Sequence, residues 1–245
     1  MRLAVISDIH ANLPALEAVL ADIAGRSADA IVNLGDCVAG PLWPSETWAL
    51  LTARGIRTVR GNHDRYLRSR PAERLPAADR FALGTLSEIH TEALFDLPLT
   101  IDLGDGVLAV HGTPTDDGAY LTEEMLSGRM APAPRETVVQ RLGAAMDRAV
   151  VLCGHSHRQS VTQVTDGPLI LNPGTVGCPV FADMTTANAL EFRSPHARYA
   201  ILTRRGDRWG AELFALDYDW DHAAAKARDN GFPQWGEALS GGAVR

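Results

Sequence analysis

Five short apolar segments of the chain each lead into side chains that can bind metals or transfer protons. The segments are rich in Val, Ile and Leu, a composition typical of buried β-strands. In an open α/β sheet, the carboxyl ends of the strands form the edge where ligands bind. The pattern therefore favours a fold that gathers these strand ends at one edge. They carry Asp8 and His10 after residues 3–7, Asp36 after 30–34, Asn62, His63 and Asp64 after 56–60, His111 after 107–110, and His155 and His157 after 149–152.

The intervening stretches indicate how these strands are connected. Apolar residues at helical spacing between the first strands predict right-handed βαβ units, and Gly-containing turns predict antiparallel hairpins. Residues 65–80 contain two prolines and are expected to form a loop. The expected helices cover about 13–23, 45–54, 78–91, 122–126 and 136–147, with one more after Asp219, and the expected hairpins join 100–103 to 107–110, 160–164 to 169–171 and 199–203 to 210–216.

No linker or internal repeat divides the chain, so residues 1–245 are expected to form a single domain. The order of elements predicts a four-layer α/β/β/α sandwich: two mixed sheets pack face to face, and helices cover both outer faces. The Gly- and Ala-rich end, about residues 236–245, is expected to be frayed.

Composition excludes several classes of protein. The net charge is −7, which argues against binding duplex nucleic acid. No apolar run approaches the roughly 18 residues of a membrane span, and the chain starts directly with a strand, so we expect no membrane association and a cytoplasmic location. Three cysteines are too few for a disulfide framework. Exposed hairpin edges could pair between subunits, which leaves a homo-oligomer open.

Three segments leave alternatives open. Residues 54–80 contain eight arginines, which form either a solvated helical face or a positive rim that attracts a phosphate-bearing substrate. Residues 112–135 are expected to be a surface loop that contributes to a substrate rim. Residues 172–177 form a rigid Pro- and Gly-containing loop that could line a pocket.

The chemistry of the strand-end residues points to a pair of metal ions. Asp8 and His10 lie two residues apart, as do His155 and His157, so in extended backbone each pair points to one side. Carboxylate, imidazole and amide ligands suit manganese, iron, nickel, cobalt or zinc better than calcium or magnesium. Two cations about 3.5–4 Å apart need a shared carboxylate, for which Asp36 is the best candidate.

The chain resembles the calcineurin-like metallophosphoesterase superfamily, and in particular its small stand-alone bacterial and archaeal phosphodiesterases. The resemblance extends over residues 8–157 and fills every metal-ligand position of the family pattern. The motifs are Asp8-x-His10, Gly35-Asp36, Gly61-Asn62-His63-Asp64, His111-Gly112 and Gly154-His155-Ser156-His157.

The resemblance implies a role for each motif residue. Two divalent transition-metal ions are expected, with manganese preferred, and the expected reaction is attack of a metal-bridging hydroxide on phosphorus. Asp8, His10 and His157 would hold the first metal, Asn62, His111 and His155 the second, and Asp36 would bridge them, with His63 as the catalytic histidine and Asp64 orienting or polarising it.

The leading functional hypothesis is a phosphodiesterase that acts on a small nucleotide-like or other organic phosphodiester. A phosphomonoesterase or protein phosphatase is the alternative, although residues 35–40 lack the arginine with which the protein phosphatases grip a monoester. A nuclease fits poorly with the acidic charge. A non-catalytic scaffold of the same fold would have little reason to keep a complete ligand set.

Overall fold

The computed structural model describes residues 1–127, 129–178, 180–182, 189–191 and 194–241. Every apolar segment predicted as a strand forms one, although the third is reduced to Arg57 and Thr58. The strands are β1 Arg2–Ile6, β2 Ala30–Asn33, β3 Arg57–Thr58, β4 Thr100–Asp102, β5 Val107–Val110, β6 Glu123–Leu126, β7 Arg129–Pro132, β8 Val150–Leu152, β9 Ser160–Gln163, β10 Leu169–Asn172, β11 Val180–Ala182, β12 Ala189–Glu191, β13 Ala197–Arg205 and β14 Arg208–Leu216.

Eight α-helices lie within the described residues. The side chain of Asn12 caps the first by accepting a hydrogen bond from the Ala15 backbone N–H at 3.3 Å. Within these ranges, no helix is both long and apolar enough to cross a lipid bilayer. The helices are α1 Leu13–Ala24, α2 Pro44–Ala53, α3 Asn62–Ser69, α4 Ala77–Thr85, α5 Glu88–Phe95, α6 Arg135–Leu142, α7 Trp220–Asp229 and α8 Pro233–Gly241.

The strands form two mixed five-stranded sheets with the orders β14-β13-β1-β2-β3 and β4-β5-β8-β10-β9. In the first sheet, β1, β2 and β3 are parallel and β13 and β14 are antiparallel. In the second, β5, β8 and β10 are parallel, with β4 and β9 as antiparallel edges. The three predicted hairpins are therefore confirmed as β4–β5, β9–β10 and β13–β14.

The two sheets pack face to face, and helices cover their outer faces. Val5 of β1 and Leu152 of β8 belong to one buried core that contains side chains from both sheets. On the outer face of the first sheet, Leu16 of α1 joins a second core. On the outer face of the second sheet, Leu142 of α6 joins a third. The predicted four-layer α/β/β/α sandwich is confirmed.

Two predictions between residues 62 and 135 are wrong. The helix expected at 78–91 is two helices, α4 and α5, because Leu86 and Ser87 adopt extended backbone. The short helix expected at 122–126 is strand β6, which pairs antiparallel with β7. The helix-favouring residues of β6 yield to this tertiary pairing, since intrinsic propensity is a weak preference. The loop predicted at 65–80 is also shorter than expected, because α3 extends to Ser69 and α4 begins at Ala77.

The C-terminal segment is also more ordered than its composition indicates. The single helix expected after Asp219 is two helices, α7 and α8, separated by Gly231 with its φ of +86°. The predicted fraying is wrong for residues 236–241, which belong to α8 and bury Leu239 completely. Residues 242–245 lie outside the described residues.

Candidate metal centre

The loops after β1, β2, β5 and β8 bring the predicted ligands together at one edge of the two sheets. They form two clusters of carboxylates and imidazoles, and within each cluster the candidate ligand atoms lie within 4.8 Å of one another. All of these side chains are buried. The first cluster is Asp8, His10 and His157, and the second cluster is Asp36, His111 and His155.

Asp36 lies between the two clusters. Its Oδ2 is 3.4 Å from His111 Nε2 in the second cluster and 3.8 Å from His10 Nε2 in the first. Asn62 extends the second cluster, with its Oδ1 3.1 Å from His111 Nε2. These positions suit a bridging carboxylate and an amide ligand, so all seven predicted metal ligands lie in one site. Their roles as ligands stay predictions.

Each imidazole of the clusters has one ring nitrogen next to a backbone carbonyl. A carbonyl oxygen only accepts, so that nitrogen carries the proton and the other presents a lone pair when the ring is neutral. Histidines that bind metals characteristically have such an outer partner, which fixes tautomer and ring orientation. The contacts are His10 Nδ1 to Ala39 O at 2.7 Å, His111 Nδ1 to Leu34 O at 2.7 Å, His157 Nδ1 to Cys178 O at 3.1 Å and His155 Nε2 to Gly118 O at 3.1 Å.

These tautomers make the first cluster a set of acceptors that face one another. His10 Nε2 and His157 Nε2 lie only 3.2 Å apart. Asp8 Oδ1 is buried and, in the part of the chain that the structure describes, has no partner with hydrogen-bond geometry, although His157 Nε2 lies 3.3 Å from it. A cation among these three atoms would satisfy all of them. The residues therefore fit divalent metal ions.

In the absence of a cation, protons balance the two buried carboxylates. Burial lowers the pKa of His111, but the charge and hydrogen bond of Asp36, together with Asp8 and the Leu34 carbonyl, outweigh burial and raise that pKa to about 9. Burial also lowers the pKa of His157, but the charge and hydrogen bond of Asp8, together with Cys178, raise it well above its usual range. Burial lowers the pKa of His10 to about 4. Metal binding at this site must therefore release protons.

Five of the seven predicted ligands have left-handed backbone, which is uncommon for residues other than glycine. Such conformations cost about 1–3 kcal/mol each, persist only where the surrounding structure enforces them, and concentrate at functional sites. The strain therefore lies in the loops that present the ligands. The φ values are +55° at Asp8, +49° at His10, +54° at Asp36, +66° at His155 and +59° at His157.

Two glycines allow the ligand loops to approach one another. A Cβ atom on Gly61 would lie 2.1 Å from Asp36 Oδ1, and one on Gly154 would lie 2.1 Å from Ser7 Oγ. Neither contact is compatible with a side chain at the glycine. These residues are therefore required by close packing between loops.

The loop 172–177 braces the ligand loops from behind. Thr175 Oγ1 donates a 2.8 Å hydrogen bond to the Asp8 carbonyl. Asn172 Nδ2 donates to the Gly154 carbonyl at 2.9 Å and lies 3.0 Å from Ser156 Oγ. The loop thus ties the segment after β1 to the segment after β8. Its turn-forming residues predicted rigidity, but nothing in the sequence pattern identified these two partners.

His63 lies at the edge of the clusters, and its orienting carboxylate is Asp79 of α4. Asp79 Oδ2 is 2.8 Å from His63 Nδ1, and the Asp79 side chain is 3% exposed. The structure describes no hydrogen bond between Asp64 and His63, the residue that Asp64 is predicted to orient or polarise. Asp64 instead accepts hydrogen bonds from the backbone N–H groups of Asp36 and Cys37, both at 2.9 Å, so it holds the chain around the bridging position.

Sequence reasoning missed Asp79 because it lies outside every motif. It stands in the first turn of α4, where an acidic residue is usual simply because it complements the helix dipole. That position offers no signal of a functional role. Only the packing of α4 against α3 brings the carboxylate to His63.

Part of the arginine-rich segment is anchored beside the second cluster. Arg65 Nη2 is 2.6 Å from Asp117 Oδ1, and Arg60 Nε is 3.5 Å from Asp117 Oδ2. Asp117 is buried and immediately precedes Gly118, whose carbonyl contacts His155. These two arginines therefore offset a buried carboxylate and fix the loop next to the site.

Comparisons with known proteins agree with this geometry. The calcineurin-like phosphoesterase superfamily domain matches residues 1–194. The protein MJ0912 of Methanocaldococcus jannaschii is 28% identical over 97% of this chain and 96% of its own length.

Two solved structures share the fold over nearly the whole chain. A metallophosphoesterase from Sphaerobacter thermophilus is 29% identical with a TM-score of 0.74, covering 99% of this chain and 100% of its own. The hypothetical protein PH1004 from Pyrococcus horikoshii is 17% identical with a TM-score of 0.75, covering 100% and 99%. The chain belongs to the calcineurin-like phosphoesterase superfamily.

Proposed function

We propose that this chain is a metal-dependent phosphodiesterase that hydrolyses a small nucleotide-like or other organic phosphodiester. The observation that carries the proposal is the pairing of two buried ligand clusters across Asp36, with His63 at their edge. Membership of a phosphoesterase superfamily supports a hydrolase. The net charge of −7 favours a small substrate over duplex nucleic acid.

The first cluster would hold one divalent ion, and the second cluster with Asn62 would hold the other. Mixed oxygen and nitrogen ligands suit manganese, with iron, nickel, cobalt and zinc as alternatives. When bound, the two ions would supply hydroxide near neutral pH and offset the charge of the phosphoryl oxygens. The chain itself contributes pre-oriented ligands, since backbone carbonyls fix the histidine tautomers.

His63 would protonate the oxygen of the leaving alcohol. Asp79 accepts the hydrogen bond from Nδ1, so Nε2 is the ring nitrogen left to transfer a proton. Burial lowers the pKa of His63, but Asp36 and then Asp79 outweigh burial and raise that pKa to about 9. Asp79 contacts His63 directly, so its charge favours the imidazolium, which is the form that can donate a proton. General acid catalysis of this kind contributes typically ~10²–10⁴-fold.

The segment after Asp36 supports a diester over a monoester. A dianionic monoester gains most from a bidentate guanidinium, whereas a diester carries a single charge. Here Cys37, Val38 and Ala39 follow Asp36 and are buried in the core. This segment therefore supplies no guanidinium to the site.

The experiment is hydrolysis of bis(p-nitrophenyl) phosphate and of p-nitrophenyl phosphate by metal-stripped protein supplied with manganese, nickel, zinc or magnesium. Diester cleavage that returns with a transition metal and exceeds monoester cleavage supports the proposal. A preference for the monoester favours a phosphomonoesterase. Absence of both activities with two ions bound favours a scaffold.

A further inference from the structure

The C-terminal helices α7 and α8 pack directly on the loops that present the first cluster. They lie beyond residues 1–194, the part that matches the superfamily domain. Ala223 and Ala227 of α7 and Leu239 of α8 share a buried core with Ala11, which follows His10, and with Leu42. The helices therefore form an additional structural unit beside the metal edge.

Polar and aromatic contacts fix this unit in place. Asn230, between the two helices, donates a 2.8 Å hydrogen bond from Nδ2 to the Pro41 carbonyl. Phe232 packs against Phe81 of α4 with the rings 5.7 Å apart. Asp79, which contacts His63, also lies on α4. The C-terminal unit therefore contacts both the ligand loops and the helix whose carboxylate orients His63.

This packing places one aromatic ring of α8 beside the first cluster. The Trp235 ring lies 6.5 Å from the His10 ring in a T-shaped arrangement and is only half-buried. The second cluster has a comparable neighbour, because the Tyr120 ring stacks on the His155 ring at 4.6 Å with 25° between the planes. Tyr120 is also half-buried. Each cluster is thus flanked by one aromatic ring with part of its surface open.

This arrangement suits a substrate with aromatic character. A phosphoryl group held between the clusters directs its ester arms away from the metals, towards the surrounding walls. We propose, on the basis of the function proposed above, that α7 and α8 form one wall of the substrate cleft and that Trp235 determines specificity by stacking on an aromatic ring, such as a nucleobase, in one ester arm. The packing of Trp235 on the core of the C-terminal unit orients the indole for this contact.

The test measures binding of adenosine 5′-monophosphate and of methyl phosphate to the manganese-loaded protein by titration calorimetry. Both probes carry a phosphate, but only the first has a base. Trp235→Leu keeps an apolar side chain in the C-terminal core and removes the aromatic face. Trp209→Leu is the matched control, because Trp209 is the second residue of β14 and lies at the opposite end of the first sheet from the metal edge.

We expect wild-type protein to prefer adenosine monophosphate, and Trp235→Leu to weaken its binding about tenfold, the size of one base–aromatic stacking interaction. Binding of methyl phosphate should be unchanged, and Trp209→Leu should affect neither probe. Wild-type protein that shows no preference for the base, or a Trp235→Leu variant that weakens both probes equally, would overturn the proposal. If wild-type protein prefers adenosine monophosphate but hydrolyses no diester, the result would count against the phosphodiesterase function alone.

Discussion

Replacing Asp79 by asparagine should weaken protonation of the leaving group without affecting the metal-dependent attack on phosphorus. The substitution keeps the shape of the side chain and removes the charge that faces His63 at 2.8 Å. Hydrogen bonds to charged groups contribute about 1.5–3 kcal/mol, roughly twice the value for neutral pairs. Loss of about 1–2.7 kcal/mol of this energy in the transition state corresponds to a rate reduction of about 5- to 100-fold.

The size of the effect should depend on the leaving group. An alkoxide needs a proton as it departs, whereas p-nitrophenolate is stable without one. The Asp79→Asn variant should therefore lose about 5- to 100-fold in kcat on a dialkyl or nucleoside diester and much less on bis(p-nitrophenyl) phosphate. It should retain its metal ions, because Asp79 contacts none of the predicted ligands in the hydrogen bonds that the structure describes.

The pH profile provides a second readout. Asp79 helps to raise the pKa of His63, so the acid form persists to a higher pH with this carboxylate than without it. Without the carboxylate, the alkaline limb should move to lower pH. Asp22→Asn is the control, since Asp22 on α1 pairs with Arg26, just after that helix, and with Tyr199 of β13. Equal losses on both substrates, or an unshifted alkaline limb, would refute the role of Asp79.

Three further results are expected. Asp36→Asn should lower metal content and activity together, whereas His63→Ala should keep the metals and lose turnover, as metal analysis beside kinetics will show. Gly61→Ala should destabilise by about 1–3 kcal/mol through overpacking against Asp36 Oδ1, while Gly84→Ala, with no atom within 4 Å of its Cβ, should not. Manganese affinity should rise between pH 6 and 9, because the ion displaces the proton of His111, whose pKa is about 9, and calorimetry in buffers of different ionisation enthalpy will count the protons.

The fold and the meeting of the candidate ligands at one edge were predictable because both depend on local patterns. Short apolar strands that alternate with helices predict an α/β fold. The residues at the carboxyl ends of the strands then lie at one edge, independently of the conformation of the connecting loops. Asp8 and His111 are 103 positions apart in the sequence, yet both lie directly beyond parallel strands. Their positions at strand ends, together with the resemblance to the superfamily, therefore predicted that they share one edge.

The features of the site that the sequence did not predict depend on packing between helices, strands and loops. Asp79 reaches His63 only because α4 packs on α3, and Thr175 reaches Asp8 only because the loop after β10 crosses behind β1. The sequence neighbour of His63, Asp64, instead hydrogen-bonds to the chain around Asp36. Trp235 was also missed, because the sequence predicts a single helix after Asp219 and does not indicate that this part of the chain packs beside the metal edge.

The central claim is that two ions bound across Asp36 are needed for diester hydrolysis. The most direct measurement is titration of the metal-stripped protein with manganese while calorimetry counts the bound ions and hydrolysis of bis(p-nitrophenyl) phosphate is followed in the same samples. We expect two ions to bind per chain and diester hydrolysis to appear when the second ion binds. Full activity with one ion bound, or in the metal-stripped protein with chelator present, would contradict it.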